Sequence, residues 1–377
     1  MPKLSAIQIL RACAALAIAL VHLEPEWRLR GIVPEGWVRP FPFEAGVDVF
    51  FVISGFVMVY ASAALFGRDG AGRIFLARRI ARVVPLYWLT TAFVLAAIAF
   101  RPELIRSALA TPGLVLASFL FIPWPRPDGL VQPVYTLGWT LNYEMFFYVL
   151  FAAALGLGLA RRAVVGALSA VLIGLIALGL AVPALPQPLG FWTSAMQIEF
   201  VLGMLLGTAR LEGLTLPLPA RLALLAAGAG LFWLVGGDAV ARTGQNTAVL
   251  FALPAACLVA GCGLAAGRKT DRWQAPAHSL SPWPIRFGES LGDASYAIYL
   301  LHPFAIRAAL RLVDGLGLGL ALGGVGITAA GLAATVGLSL VSYRLVEKPL
   351  TRLVRRRTEE RAPAARRRGG AARADPG

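Results

Sequence analysis

Arg11 and His22 lie in one apolar run near the N-terminus, eleven residues apart. At about 100° and 1.5 Å per residue this interval is three turns plus roughly 20°, so a helix would carry both on one face, about 16 Å apart along its axis. Ala12, Ala15 and Ala19 fall on or beside that face. The combination suggests a narrow groove with polar ends running through a membrane. Ionisable side chains in lipid are costly and usually functional. The competing reading has Arg11 snorkelling to headgroups and His22 resting at the far interface. Glu144 opens a later apolar run behind Trp139, Thr140, Asn142 and Tyr143, and Thr140, Glu144 and Tyr148 share a helical face. At the level of His22 such a carboxylate could bond the imidazole and set its tautomer. A solvated carboxylate held by the helix dipole is the bland alternative.

Other polar groups stand in similar settings. Asp48 begins the run Gly46–Phe56 and reads either as a first-turn or N-cap residue or as part of a site. Arg78, Arg79 and Arg82, spaced by three and four ahead of Pro85, would cluster on one helical face. Three guanidiniums there suit a polyanion such as a nucleotide phosphate, unless they serve only to orient the chain. Ser295, Tyr299 and His302 form an i, i+4, i+7 stripe, and His302 fits either a structural or a catalytic role. Pro303 behind it removes a helical donor, so a kink and a free carbonyl at Tyr299 are expected. Glu199 and Gln197 form a further polar pair without an evident task. Cys13, Cys257 and Cys262 all lie in apolar runs and read as small hydrophobes. With no CxxC or HExxH motif, no metal site is expected.

The elements that must position these groups are membrane helices. The chain has 377 residues, 58% hydrophobic and 15% charged, against about a quarter charged in soluble domains. Apolar runs near twenty residues recur at about 5–23, 45–65, 84–100, 108–123, 138–159, 163–182, 191–209, 220–236, 246–266, 291–311 and 318–343. Arg11 interrupts what would be a signal-peptide core, and no small-residue cleavage site follows His22, so the first helix is expected to be retained. The net charge of +15 does not indicate nucleic acid, because it sits in loop 66–82, in Arg161–Arg162, in Arg268–Lys269 and in the tail. Placing all these clusters on the cytoplasmic side requires that one segment not cross, and 108–123, short and flanked by prolines, is the weakest. The expected fold is therefore all-α: a polytopic transmembrane helical bundle of about ten crossings with one additional re-entrant or interfacial segment, both termini cytoplasmic. Residues 1–350 form the membrane domain. Residues 351–377, rich in Arg, Ala, Pro and Gly, are expected to be a disordered basic tail at the cytoplasmic surface.

Taken together, the motifs resemble the acyltransferase-3 family of membrane-bound O-acyltransferases. Arg11 and His22 match that family's R-x10-H pair, and Gly46 to Phe56 its GVDxFFxISGF stretch. Arg78 to Pro85 match RRxxRxxP, Trp139 to Phe147 match W-[ST]-L-x-x-E-x-F-[FY], Ser295 to His302 match SYxIYLxH, and Glu347-Lys348-Pro349 the terminal pattern. The wording FFVISGFVMVY and TLGWTLNYEMFFYVLF looks most like the exopolysaccharide O-acetyltransferase branch.

The resemblance implies acyl-CoA, most simply acetyl-CoA, as a donor substrate, no bound cofactor, a carbohydrate hydroxyl as acceptor, and a bacterial inner membrane as the setting. Partners would be the bilayer and polysaccharide biosynthesis proteins. On this view Arg78, Arg79 and Arg82 dock the nucleotide and the pantetheine arm threads past Arg11. His22 acts as general base and Glu144 steadies the imidazolium. Asn142 and Tyr143 are candidate oxyanion donors. Asp48, Trp139, Ser295, Tyr299 and His302 support the site. A multi-pass transporter of a saccharide or acylated substrate is the alternative from another class, since polar groups inside a bundle also mark transport pathways.

Overall fold

In the computed structural model the described residues are 3–34, 41–100, 110–182, 184–236, 248–266 and 282–360. Among them the regular structure is helical and no strand forms. In chain order the helices are α1 (Ser5–Val21), α2 (Glu24–Leu29), α3 (Gly46–Ala61), α4 (Ala71–Phe100), α5 (Pro112–Phe119), α6 (Trp139–Gly156), α7 (Arg161–Ala181) and α8 (Leu189–Trp192). There follow α9 (Gln197–Leu211), α10 (Leu218–Val235), α11 (Ala248–Gly263), α12 (Trp283–Asp293), α13 (Ser295–Gly315), α14 (Gly319–Ser342) and α15 (Lys348–Glu360). Several, α3 above all, are rich in β-branched and aromatic residues that disfavour helix in water. Lipid reverses that preference, because a helix satisfies every backbone N–H and C=O within its own segment.

Among the described residues seven helical stretches are long and apolar enough to cross a membrane, so this is a multi-pass membrane protein. They contain α1, α3, α4, α7, α10, α13 and α14. Helices α6, α9 and α11 are shorter or carry polar first turns. Opposite ends of the bundle are tied by different bonds. At one end Lys3 pairs with Asp293 at 2.8 Å, Gly67 N–H donates to the Leu159 carbonyl at 3.1 Å, and Arg162 pairs with Glu212 at 2.7 Å. At the other, Arg30 pairs with Asp314 at 2.7 Å, the Trp27 indole donates to Thr328 at 3.0 Å, and Tyr135 stacks on Phe304. Successive long helices therefore alternate in direction. The first of these is the basic end of the bundle, and the second is the histidine end, where α1 stops at His22.

Three expectations change. The basic segment 66–82 is not a loop, because α4 begins at Ala71 and runs through Pro85 as one helix of 30 residues, about 45 Å long against a hydrocarbon core of about 30 Å. Its Ala, Leu, Ile and Arg content favours helix right up to the crossing. The run 291–311 is broken at Ala294, where α12 ends and α13 starts, and α12 lies against α1 with Gly292 directly on the Gln8 backbone. Helix α15 carries the chain past the boundary expected near residue 350, to Glu360. Residues 361–377 and the pair Arg268–Lys269 lie outside the described residues. Within the weak segment Thr111 caps α5, whose eight residues extend only about 12 Å. Residues 108–109 of that run lie outside the described residues.

The packed centre is aromatic. Phe51 of α3, Phe75 of α4, Phe147 and Phe151 of α6 and Phe200 of α9 are all buried and in mutual ring contact. Helices α3 and α9 approach closely, through Gly55 and Gly203. A Cβ on Gly203 would stand 2.1 Å from the Val52 carbonyl, and one on Gly55 2.3 Å from that of Phe200. Small residues that admit backbone-to-backbone contact are what hold helices together where lipid removes the hydrophobic drive.

Candidate active site

Helices α1, α4 and α13 run from the basic end past a central cavity, while α3 and α6 run back along it. The cavity measures about 770 Å³ with its open mouth and is lined by residues of all five. Its polar tier nearest the basic end is Arg79 and Arg82 on α4 with Tyr148 on α6. Arg79 lies 5.5 Å above the Phe75 ring and within electrostatic reach of Tyr148. Tyr296 locks α13 to α4 at this level, its hydroxyl donating to the Val83 carbonyl at 2.7 Å.

The middle tier holds Arg11, Glu144, Ser54 and Ser295. Glu144 accepts from the Ser54 hydroxyl at 3.2 Å and from Tyr148, one helical turn along. Arg11 donates to Gln8 at 3.2 Å and lies within electrostatic reach of Glu144, Arg82 and Asp293. Ser295 is fully buried and its hydroxyl has no partner. The last tier is Thr140, Tyr299 and Phe50. The Tyr299 hydroxyl stands 2.9 Å from that of Thr140 and donates to the Leu137 carbonyl at 2.8 Å.

His22 lies beyond this tier. It is the C-cap residue of α1, and its Nδ1–H donates to the Ile18 carbonyl at 3.0 Å. Its ring meets that of His302 edge to face, centroids 4.6 Å apart. His302 is fully buried and donates its own Nδ1–H to the Ile298 carbonyl at 3.1 Å. Tyr299, whose ring centre is 6.3 Å from that of His302, joins the imidazoles to the cavity. The five helices therefore stack their polar groups in a column, arginines first and histidines last.

Several predicted residues come together and others do not. Arg11, Arg79, Arg82, Glu144, Ser295 and Tyr299 share the cavity. Arg78 does not line it. Glu144 is not level with His22, because α6 enters from the histidine end and Glu144 lies about 6 Å deeper than Thr140, at the tier of Arg11. The bond expected from it to His22 is replaced by the Ile18 carbonyl. A carbonyl only accepts, so Nδ1 carries the hydrogen and Nε2 is left as the basic nitrogen. Asn142 is two residues from Glu144, about 200° around α6. It faces away from the cavity, buried, with both amide atoms lacking partners. Tyr143 stacks on Phe191 and Trp139 stands edge-on to Tyr143, so neither reaches the cavity. Asp48 does not cap α3, whose N-terminus has no side-chain cap. It faces Glu199 on α9, and both carboxyls are buried. Sequence reasoning missed the His22–His302 contact and the place of Ser54. The unusual burial of Glu199 was legible, but its partner was not. Among the described residues no three His, Cys, Asp or Glu side chains gather as metal ligands.

A family profile described as an acyltransferase domain matches residues 4–344. The exopolysaccharide production protein ExoZ of Rhizobium meliloti (strain 1021) is 34% identical over 319 residues, 83% of this chain and 91% of that protein. No solved structure matches the chain. The profile begins just ahead of α1 and ends just past α14, so it takes in every helix of the polar column, and the chain belongs to the acyltransferase-3 family.

Proposed function

We propose that this membrane acyltransferase moves an acyl group, acetyl in the simplest case, from acyl-CoA to a hydroxyl of an exopolysaccharide, with His22 as general base. The basic end faces the cytoplasm of a bacterial inner membrane, ten helices cross, and both termini are cytoplasmic. The observation that carries the reading is the polar column, a cavity lined by arginines at one end and by Tyr299 at the other, with the Tyr299 ring beside that of His302 and His302 against His22.

Arg79 and Arg82 bind the phosphates of the donor, as planar guanidiniums do well. The thin pantetheine arm occupies the cavity past Arg11 and Glu144. Glu144 serves here as the carboxylate that holds Tyr148 and balances the arginines, rather than as the partner of His22. The acyl end lies beside Tyr299. His22 Nε2 removes the proton of the sugar hydroxyl as its oxygen bonds to the thioester carbon. The C–S bond breaks, and the CoA thiolate recovers the proton. The ExoZ relative supports an exopolysaccharide acceptor, and the family supports acyl transfer over transport.

Membranes containing the protein, given radiolabelled acetyl-CoA and deacetylated exopolysaccharide, should label the polymer. His22→Ala should lower that rate at least about a hundredfold with the protein still inserted. Wild-type labelling by the variant would remove His22 from the chemistry.

A further inference from the structure

Ser295 lines the cavity and has no task in the mechanism above. It is fully buried, and its hydroxyl has no partner. A buried polar atom left in that state calls for an explanation. Elsewhere in the protein helical hydroxyls bond the carbonyl four residues earlier, as those of Ser118, Ser290, Thr328 and Thr335 do. Ser295 makes no such bond, because the break at Ala294 ends α12 directly behind it and removes the regular turn.

The contacts one turn away fix where the hydroxyl faces. Tyr299 on α13 and Thr140 on α6 meet with their hydroxyls 2.9 Å apart, and the two helices run in opposite directions. One turn towards the basic end, about 6 Å from that contact, the same faces carry Ser295 on α13 and Glu144 on α6. The long tyrosine bridges the gap between the helices. The short serine does not, and it makes no bond to Glu144. The result is a slot with a hydroxyl donor on one wall and a carboxylate acceptor on the other. Glu144 already accepts from Ser54 and Tyr148, which leaves room on a carboxylate that can accept about four bonds.

A trans secondary amide directs its C=O and its N–H to opposite sides, so it satisfies both walls of such a slot at once. The pantetheine arm of the donor contains two such amides. The nearer one is separated from the acyl carbon by the sulfur and two methylenes, about 5 Å when extended. With the acyl carbon beside Tyr299, that amide falls one helical turn below it, at Ser295.

We propose that Ser295 and Glu144 bind the pantetheine amide nearest the thioester, the Ser295 hydroxyl donating to its carbonyl and its N–H donating to the Glu144 carboxylate. The inference rests on the reading of acyl-CoA as the donor. It gives the arm a fixed register, since an amide clamped at this tier holds the thioester carbon at the level of Tyr299. It also makes the cavity selective for pantetheine thioesters, because an acyl phosphate or a simple thiol ester lacks the group that the slot reads.

The test measures, by calorimetry on the full-length protein in detergent, the binding of CoA and of a CoA analogue in which that amide is replaced by two methylenes. Wild type should bind CoA at least about tenfold more tightly than the analogue. Ser295→Ala should weaken CoA binding about tenfold and leave the affinity for the analogue within about twofold of wild type. Its melting temperature should not fall, because the hydroxyl removed has no partner in the free protein. Wild-type affinity for CoA in Ser295→Ala, or a wild-type protein that does not distinguish the two compounds, overturns the amide slot while the donor reading stands. Equal losses for both compounds also overturn it, since packing damage would produce them. So does a lowered melting temperature, which would mean that the hydroxyl is bonded within the free protein. A wild-type protein with no affinity for CoA removes the donor reading and the slot with it.

Discussion

A charged side chain serves a substrate only if its helix turns it towards that substrate, and the arginines of α4 divide on this criterion. Arg79 and Arg82 line the cavity and Arg78 does not. A hydrogen bond to a charged group contributes about 1.5–3 kcal/mol, so losing one phosphate contact weakens binding roughly tenfold or more. Arg79→Gln and Arg82→Gln should each raise KM for acetyl-CoA by about that factor, while Arg78→Gln changes it less than about twofold. Initial rates against acetyl-CoA concentration read this directly. Equal behaviour of all three would leave them only an orienting role. The type and clustering of these residues were legible in the sequence. Which of three adjacent guanidiniums faces inward was not, because spacings of three and four both count as one face.

At the scale of elements, the contact between α3 and α9 sets the site. It holds Asp48 against Glu199, and it fixes the register that brings Ser54 to Glu144. The contact depends on Gly203, where a methyl group would meet the Val52 carbonyl at 2.1 Å. Gly203→Ala must push the helices apart, and overpacking of this kind costs about 1–3 kcal/mol. The variant should melt at a lower temperature in detergent and lose transfer activity. Gly174→Ala on α7, where nothing lies within 4 Å of the added carbon, should melt like wild type. If the two behave alike, the close approach is not what orders the site. A Ser-Gly step in an apolar run signals that some helix comes close, but the sequence does not say which one.

For the whole molecule, orientation follows from charge. The basic end carries Lys3, Arg68, Arg73, Arg161, Arg162 and Arg210, and the proposed orientation puts it in the cytoplasm, where short basic loops are retained. A cysteine placed at Asp128, between α5 and α6 near the histidine end, should react with an impermeant maleimide in intact spheroplasts. One at Asp69, between α3 and α4, should react only after the membrane is opened. The reverse pattern would invert the protein and leave the donor cavity facing away from the cytoplasmic acyl-CoA pool.

The sequence by itself determined the solvent, the helical class, the family and the identity of nearly every polar group in the column. These follow from composition and from periodicity along one chain segment, and lipid leaves the backbone little choice but helix. The tertiary structure decided who meets whom. It gave His22 to His302 and to the Ile18 carbonyl, Glu144 to Tyr148 and Ser54, Asp48 to Glu199, and it turned Asn142 away. Such pairings depend on how far one helix slides and turns against another. That offset is set by glycine contacts, by the break at Ala294 and by the depth at which α6 enters, and none of these leaves a mark in the spacing of residues along a single helix.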